Sequence, residues 1–164
     1  MSRPKDSRII LHCSPYLLSI RPSKIDRYGV FAGKMIPPRH KVMTYGGEKI
    51  PMAEAVNRAV VLLRKGLRSR TFLAAINRNW AIDGSVGGNG AEQINHCCDP
   101  NVSFRRVYGK IFIYSRRKIR KGEELTLDYA FREERVKIPC RCGSRKCRGY
   151  MNKRLRGDKA KARA

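Results

Sequence analysis

Two short polar segments and a cysteine cluster hold most of the side chains in this sequence that could perform chemistry. Residues 93–101, QINHCCDPN, bring together an amide, an imidazole, two thiols, a carboxylate and a proline. Residues 123–131, EELTLDYAF, contain an alternation over 124–129 that predicts a strand, which ends in a carboxylate and a phenol at Asp128 and Tyr129. Three further thiols follow within residues 140–147. We predict that the three segments form one active site.

The last three cysteines predict a bound metal ion. Cys140, Cys142 and Cys147 have the spacing C-x-C-x4-C, and thiolates this close can bind one zinc ion in tetrahedral geometry. The N-terminal residues lack the apolar segment and cleavage site of a secretory signal, so the cluster indicates metal binding rather than disulfides. A structural zinc site needs a fourth ligand, for which spacing leaves four candidates: Cys13, Cys97, Cys98 and His96. A reduced cluster without metal is the alternative.

Tyr129 and His96 are candidates for direct roles in a reaction, although each has an ordinary structural explanation. A tyrosine at a strand end is commonly half-buried, with its hydroxyl hydrogen-bonded. A single histidine is more often a hydrogen-bonded structural residue than a catalyst. The neighbours of His96 favour the functional interpretation, because Asn-His before Cys-Cys-Asp-Pro-Asn is an unusual string for a generic turn.

The charge of the chain predicts a polyanionic partner. The 164 residues include 37 Lys and Arg against 13 Asp and Glu, a formal net charge of +24. Such a field favours nucleic acid, an anionic membrane or an acidic protein face, and a merely solvated basic surface is the alternative. No apolar segment is long enough to cross a membrane, and the basic C-terminal residues lack an apolar face. Nucleic acid is therefore the expected partner, and a membrane is not.

The remaining sequence predicts a mostly β fold with one short helix. Short apolar runs separated by Gly and Pro indicate many strands. The helix is expected to begin at Pro51 and to end before Gly66. Its apolar residues recur at helical spacing and predict a stripe packed in the core: Met52, Ala55, Val56, Ala59, Val60, Leu62 and Leu63. Residues 102–108 and 111–115 predict a hairpin whose turn is Gly109 and Lys110.

The chemically active segments resemble, in the same order, the motifs of SET-domain protein lysine methyltransferases. Residues 95–101, NHCCDPN, are similar to the family string N-H-S-C-x-P-N, and residues 124–129, ELTLDY, to E-L-T-Y-D-Y. Residues 140–151, CRCGSRKCRGYM, resemble the post-SET module C-x-C-G-x3-C-R-G-x-L. Shorter matches are Y-x-G-E at residues 45–48 and I-D followed by G-N-x-A within residues 82–91. The resemblance covers most of the chain.

This resemblance implies the architecture. In a SET-domain β-fold, the strand that ends at Tyr129 would thread through the segment around Asn95, forming a pseudoknot. Threading is rare in proteins and follows here from the resemblance alone. The implied parts are a flexible basic arm at residues 1–8, a SET domain at 9–133, a post-SET zinc module at 134–151 and a basic disordered tail at 152–164.

The resemblance also implies binding of S-adenosylmethionine. Residues 27–29, RYG, fall where the family has G-x-G, whose backbone holds this cofactor. The implied cofactor-binding residues are Arg27, Tyr28, Gly29, Asn95, His96 and Tyr129. Arg27 replaces the first glycine of that motif, which costs backbone freedom. Glu92 and Gln93 stand where the family usually has Arg-Phe before I-N-H, a second departure from the family pattern.

Catalytic and metal-binding roles follow from the same resemblance. Tyr129 would stand beside the transferred methyl group, Tyr45 would line the lysine channel, and Phe131 would tune how many methyl groups are added. The implied zinc ligands are Cys98, Cys140, Cys142 and Cys147, which would hold the post-SET loop over the active site. Cys97, where the family has Ser, receives no role.

The sequence is therefore interpreted as an S-adenosylmethionine-dependent protein lysine N-methyltransferase that acts on a histone or another DNA-associated protein. An intracellular protein is expected, nuclear or associated with chromatin or a nucleoid rather than in the soluble cytoplasm. The alternative is a SET-like nucleic-acid-binding module with weak or lost catalysis. A basic enzyme should repel histone tails at long range, so a shared DNA scaffold or an acidic rim is needed. The candidates for that rim are Glu48, Glu123, Glu124, Glu133 and Glu134.

Overall fold

A computed structural model describes residues 9–66, 71–131 and 137–153. Within these ranges the chain forms eleven short strands, one α-helix and one 3₁₀ turn. The strands make four small sheets, three with three strands and one with two. The predicted mostly β fold with one short helix is confirmed.

The elements are short, as expected from the Gly and Pro residues that separate them. In chain order they are β1 (Ile9–Leu11), β2 (Leu18–Pro22), β3 (Tyr28–Ala32), β4 (Lys41–Thr44), β5 (Glu48–Pro51), α1 (Met52–Arg64), β6 (Leu73–Ala75), β7 (Trp80–Asp83), β8 (Asn95–His96), β9 (Val102–Val107), β10 (Lys110–Ser115) and β11 (Thr126–Leu127). The 3₁₀ turn covers Ala91–Gln93, immediately before β8.

Three sheets are antiparallel and one is parallel. The antiparallel sheets have the strand orders β1-β2-β3, β4-β10-β9 and β5-β7-β6. The fourth sheet pairs β8 with β11 in parallel, with Asn95 opposite Thr126 and His96 opposite Leu127. The two segments predicted to carry the chemistry therefore lie side by side.

The strand predicted over residues 124–129 is shorter than its alternation indicated. Only Thr126 and Leu127 belong to β11, and the chain then turns at Asp128, whose Oδ1 accepts a hydrogen bond from the Ala130 N–H at 3.1 Å. Ala130 has a φ of 47°, in the left-handed region. Because the turn ends the strand, Tyr129 lies outside the sheet.

One hydrophobic core draws residues from all four sheets. Its completely buried side chains include Leu18, Val30, Ile36, Val42, Ile111, Ile113, Ile119 and Leu125. Burying one such side chain is worth about 1.5–3 kcal/mol relative to leaving it exposed. The core thus holds the sheets in the positions from which the site residues project.

Helix α1 differs from its prediction in two respects. Pro51 is the last residue of β5, and the helix begins at Met52. The apolar stripe is only partly covered: in this completely described helix Ala55 is the one buried residue, and Met52, Ala59 and Leu62 are half-buried. The exposed members include Val56, Val60 and Leu63. The physical reason is that α1 packs on the small sheet β5-β7-β6 through a narrow cluster with Ile50 and Ala81.

The β9–β10 hairpin turns one residue earlier than predicted. Because β9 ends at Val107 and β10 begins at Lys110, the turn consists of Tyr108 and Gly109. Their φ angles are 47° and 72°, and two positive values belong to the type I′ turn that matches the twist of a hairpin. The turn prediction was wrong because a tyrosine occupies a position that usually favours Asn, Asp or Gly.

Several predicted features lie outside the described residues. These are the basic arm at residues 1–8, residues 154–164 of the tail predicted at 152–164, the boundary between residues 133 and 134, and the rim candidates Glu133 and Glu134. In the part of the chain that is described, no helix combines the length and apolar character needed to cross a membrane.

Candidate active site and cysteine cluster

A small cavity opens beside the parallel pairing of β8 and β11. Its lining residues are Asp26, Arg27, Tyr28, Phe72, Glu92, Gln93, Asn95 and Tyr129. Four of them, Arg27, Tyr28, Asn95 and Tyr129, were predicted to bind the cofactor. The cavity therefore joins the loop before β3, the start of β8 and the turn after β11.

The amide of Asn95 fastens the loop before β3 to the site. Its Nδ2 donates hydrogen bonds to the Tyr28 carbonyl and the Glu124 carboxylate, each at 2.8 Å, and lies 3.3 Å from the Asp26 carbonyl. Asn95 is buried, so these partners replace the water that a free amide would bind. The backbone of residues 26–28 is thereby held against β8.

Glu124 is a site residue whose role the sequence did not reveal. Its carboxylate accepts the hydrogen bond from Asn95, and both of its oxygens lie 2.9 Å from Ser23 Oγ. From the sequence, Glu124 was a candidate for an acidic rim, whereas in the structure its carboxylate holds the loop before β3 through Ser23 and Asn95. The sequence offered one indication of this role: Glu124 is the first residue of the string ELTLDY, which resembles a family motif.

Gly29 is packed too closely against these groups to carry a side chain. A Cβ at this position would collide with Glu124 Oε1 and would lie 3.1 Å from Asn95 Nδ2. We expect Gly29→Ala to displace the Glu124 carboxylate from Asn95 and to lower the free energy of unfolding by about 1–2 kcal/mol. Urea unfolding of the wild-type and variant chains measures this loss.

The double variant Gly29→Ala/Glu124→Ala shows whether the loss of stability in Gly29→Ala comes from the clash between its Cβ and the Glu124 carboxylate. Removing the carboxylate makes room for the Cβ, so the double variant should be about as stable as Glu124→Ala alone. Additive losses of unfolding free energy would contradict this account of Gly29.

Arg27 occupies a backbone position that suits glycine. Its φ of 25° lies at the edge of the left-handed region. The Ser23 N–H closes the turn by donating to the Arg27 carbonyl at 3.0 Å. The departure from G-x-G therefore retains a turn while adding a charged side chain, whose Nε lies 3.6 Å from Asp26 Oδ1.

The phenol of Tyr129 is neutral and hydrogen-bonded. Its hydroxyl donates to the Ile94 carbonyl at 2.9 Å. Burial raises the pKa of Tyr129, and the nearby carboxylates of Asp26 and Glu124 raise it further. The residue still exposes 36% of its surface, so the ring remains partly accessible although its hydroxyl is desolvated. Such a phenol offers an oxygen lone pair but does not act as a strong base.

His96 connects Tyr129 to the cysteine cluster. Its Nδ1 accepts a hydrogen bond from the Tyr129 backbone N–H at 3.1 Å, and its Nε2 lies 3.4 Å from Cys98 Sγ. Since Nδ1 accepts, the proton of the neutral ring is on Nε2, facing sulfur. Burial lowers the pKa of His96 to about 4 despite the opposing effect of Asp128. His96 thus supports Tyr129 and is not among the residues that line the cavity.

Tyr45 and Phe131 each contact a residue of the cavity wall. The buried Tyr45 donates its hydroxyl hydrogen to the carbonyl of Phe72 at 2.8 Å. Burial raises the pKa of Tyr45, and Glu92 and Tyr129 add to the effect. The ring of Phe131 packs edge-on against Tyr129, with centroids 5.5 Å apart. Phe131 therefore contacts Tyr129 directly, whereas Tyr45 is bound to the cavity wall through Phe72.

Four of the six cysteines come together as a closed cluster. The sulfur atoms of Cys98, Cys140, Cys142 and Cys147 all lie within 4.8 Å of one another. Zinc binds thiolates at about 2.3 Å in a tetrahedron, which separates the sulfurs by about 3.8 Å. The Cys98 and Cys140 sulfurs, 3.7 Å apart, match that separation. The donor set and its geometry therefore fit one tetrahedral metal ion.

The other two cysteines stay outside this cluster. Cys97 is buried, with its sulfur 3.5 Å from the Asp99 carbonyl. Cys13 is exposed, with its sulfur 3.1 Å from the Asn89 carbonyl. Among the four candidates for a fourth ligand, Cys98 is the one whose sulfur joins the C-terminal three.

A second connection joins the cysteine cluster to Tyr129. Arg148, which follows Cys147, donates two hydrogen bonds to the Asp128 carboxylate at 2.7 and 2.8 Å. Bidentate pairs of this kind are strong and geometrically specific. Because Asp128 precedes Tyr129, the positions of the cluster and the tyrosine depend on each other. This pair was not predicted from the sequence, although both residues stand in the matched motifs.

The cavity carries carboxylates although the chain is strongly basic. Asp26 and Glu92 both line it, together with a single arginine. A cleft with this charge favours a cationic ligand. Glu48 and Glu123, two rim candidates, are instead ion-paired with arginines at 2.7 and 2.6 Å.

Comparison with known proteins finds relatives across this region. The family model described as SET domain matches residues 27–130. A histone-lysine N-methyltransferase, H3 lysine-4 specific, of Schizosaccharomyces pombe is 44% identical over 139 residues, which cover 82% of this chain and 15% of that protein. Histone-lysine N-methyltransferase SETD1A of Homo sapiens is 37% identical over 134 residues, which cover 79% of this chain and 8% of that protein. This chain thus spans a small part of these relatives.

Proposed function

This chain belongs to the SET-domain family, and we propose that it is a protein lysine N-methyltransferase that uses S-adenosylmethionine as methyl donor. The observation that carries the proposal is the meeting of Tyr129, Asn95 and Tyr28 at one cavity beside the parallel pairing of β8 and β11. Relatives named as histone-lysine N-methyltransferases support the same reaction.

The residues around the cavity suit this donor. S-adenosylmethionine supplies an electrophilic methyl group on a positively charged sulfur. Asp26 and Glu92 would offset positive charge in the cavity. The backbone of residues 27–29, which Asn95 and Glu124 hold in place, would bind the donor, and His96 would act by holding the Tyr129 backbone.

The substrate lysine must react in its neutral form, because an ammonium has no lone pair. A free lysine has a pKa of about 10.4, so the site has to favour loss of its proton. A passage formed by Tyr45, Leu127 and Phe131 would disfavour the ammonium by desolvation, as would the positive charge of the donor. The Nζ–C bond forms as the S–C bond breaks, sulfur keeps the electron pair, and the surplus amine proton passes to solvent.

Tyr129 would orient the amine rather than deprotonate it. Its own pKa is raised by burial, so it stays protonated at neutral pH. Its hydroxyl is aimed by the hydrogen bond to Ile94, which leaves a lone pair on the oxygen. Alignment of nitrogen, methyl carbon and sulfur would therefore supply most of the rate enhancement.

Zinc is the proposed metal of the cysteine cluster. Four thiolates without an open position form a structural rather than a catalytic site. The ion would hold residues 137–153 against the active site, and the Arg148–Asp128 pair would transmit that position to Tyr129.

A histone or another DNA-associated protein is the proposed substrate. The Schizosaccharomyces pombe relative is named as specific for lysine 4 of histone H3, so the H3 tail is the first candidate. A nuclear, chromatin-associated location and contact with nucleic acid through the basic surface fit this substrate. Because the +24 charge repels a basic tail at long range, a shared DNA scaffold would bring the chain and such a substrate together.

Incubation of the purified chain with isotopically labelled S-adenosylmethionine tests the activity. Histone H3 and a protein lysate are offered in separate reactions, and mass spectrometry locates the modified residues. We expect label on lysine side chains, and binding of the donor measured by calorimetry. A chain that binds the donor but labels neither substrate would overturn the proposal.

A SET-like nucleic-acid-binding module is the alternative function, supported by the +24 charge. Such a module would bind oligonucleotides with steep salt dependence and would transfer no methyl group.

A further inference from the structure

The outer face of the sheet β4-β10-β9 carries aromatic rings that cations cover. Phe112 and Tyr114 project from the same side of β10 and are half-buried, whereas their neighbours on that strand's other side are fully buried. Lys41 Nζ lies 5.0 Å from the ring centroid of Phe112. The Arg105 guanidinium lies 4.5 Å from that of Tyr114. The face thus has two layers, aromatic below and cationic above.

The strand register extends this face across the sheet. Arg105 is opposite Phe112, and Val107 is opposite Lys110, so these side chains share one side of the sheet. The strands β4, β9 and β10, all completely described, contain no Asp or Glu. The three strands therefore supply cations to this surface and no carboxylate that would neutralise them.

Tyr108 at the tip of the hairpin exposes 99% of its surface. Its φ is 47°, a conformation that favours Asn, Asp or Gly over tyrosine in a two-residue hairpin turn. The side chain therefore strains the backbone and buries no apolar surface in return. An aromatic ring with no stabilising role in the fold points to a contact outside the chain.

We propose that this basic aromatic face, defined as Lys41, Arg105, Tyr108, Lys110, Phe112 and Tyr114, binds single-stranded nucleic acid. The phosphates would contact the three cations, and unpaired bases would stack on the Tyr108 ring and on the Arg105 guanidinium plane. A duplex keeps its bases stacked internally, so it would use the charges without the rings. An acidic protein would likewise use the charges alone.

The proposal refines the nucleic-acid contact suggested by charge and is independent of methyl transfer. Its test uses the full chain and a fluorescent single-stranded oligonucleotide of about twelve nucleotides, the size of one small binding site. Fluorescence anisotropy across a salt series measures affinity without any methyl donor present. Failure here therefore leaves the proposed methyltransferase activity untouched.

The cationic layer is tested by the triple variant Lys41→Gln/Arg105→Gln/Lys110→Gln. We expect at least about tenfold weaker binding near 0.1 M salt and a logarithmic salt slope smaller by about 2, since each lost phosphate contact removes about 0.7. The matched control is Arg64→Gln/Lys65→Gln/Arg78→Gln, which removes the same charge from exposed positions elsewhere. Equal weakening by both triple variants would overturn the proposal, because it would indicate diffuse charge.

The aromatic layer is tested by Tyr108→Asn, which suits the φ of the turn while removing the ring. We expect unchanged or higher fold stability, about fivefold weaker binding and an unchanged salt slope, whereas Tyr108→Phe should bind like the wild-type chain. Unchanged affinity in Tyr108→Asn would overturn the stacking proposal. Tighter binding of a duplex of equal length, or equal competition by a polyglutamate peptide, would overturn it as well.

Discussion

Replacing Tyr129 by phenylalanine is expected to lower the rate of methyl transfer by about 100-fold, because a small loss of alignment has a large effect on an in-line reaction. The substitution removes the hydroxyl that donates to the Ile94 carbonyl at 2.9 Å. It keeps the ring, whose centroid lies 5.3 Å from that of His96 and 5.5 Å from that of Phe131. Only about 1 kcal/mol of stability should be lost with the hydrogen bond.

Single-turnover transfer of labelled methyl groups to the substrate protein measures this effect. Calorimetric binding of S-adenosylmethionine and thermal unfolding show whether the site and the fold survive. Tyr16→Phe removes a tyrosine hydroxyl away from the cavity and should transfer methyl groups at the wild-type rate. A Tyr129→Phe variant that keeps most of the wild-type rate would refute the catalytic role.

Replacing Cys142 by serine is expected to remove the metal ion and to loosen residues 137–153. Metal binding to a structural site contributes directly to folding, with apparent values of about 10–16 kcal/mol in zinc-finger peptides. Burial alone would raise the pKa of Cys142, but backbone hydrogen bonds from Cys98 and Ser144 help to lower it to about 7, which favours the ligating thiolate. Elemental analysis should find about one zinc per wild-type chain and far less in the variant.

Methyl transfer should fall in Cys142→Ser as well, because two contacts join the cluster to the active site. These are the approach of His96 to Cys98 and the pairing of Arg148 with Asp128. Hydrogen exchange should report faster opening of residues 137–153 in the variant. Cys13→Ser, which changes an exposed thiol outside the cluster, should retain metal, stability and activity. Equal metal content in Cys142→Ser and the wild-type chain would exclude Cys142 as a ligand.

The sequence identified much of the site because local strings of uncommon residue types carry it. Asn95 and His96 are adjacent, as are Asp128 and Tyr129, and three of the clustered cysteines fall within residues 140–147. Residues this close in the sequence lie near each other in any fold, so their shared role can be predicted without knowing the tertiary structure. The fourth sulfur, that of Cys98, lies 42 residues before Cys140, and spacing alone left three competing candidates for it.

Helix α1 marks a limit of local patterns. Its apolar spacing correctly indicated a helix, yet only one of the seven residues of the predicted core stripe is buried. Periodicity reports which side chains share a face, whereas burial depends on the width of the surface that meets that face. In the same way, backbone preferences at Tyr108 did not reveal that a tyrosine occupies a glycine-like turn position.

By itself the sequence determined the residue types at the site, the strand-rich composition of the fold and the family resemblance. Only the tertiary structure shows that β8 and β11 pair in parallel. It also shows that Asn95 donates a hydrogen bond to Glu124 and that Arg148 donates hydrogen bonds to Asp128. The physical reason is that each of these contacts joins residues far apart in the chain. Such hydrogen bonds form only when the packed core has brought their strands and loops together, and no local period encodes that path.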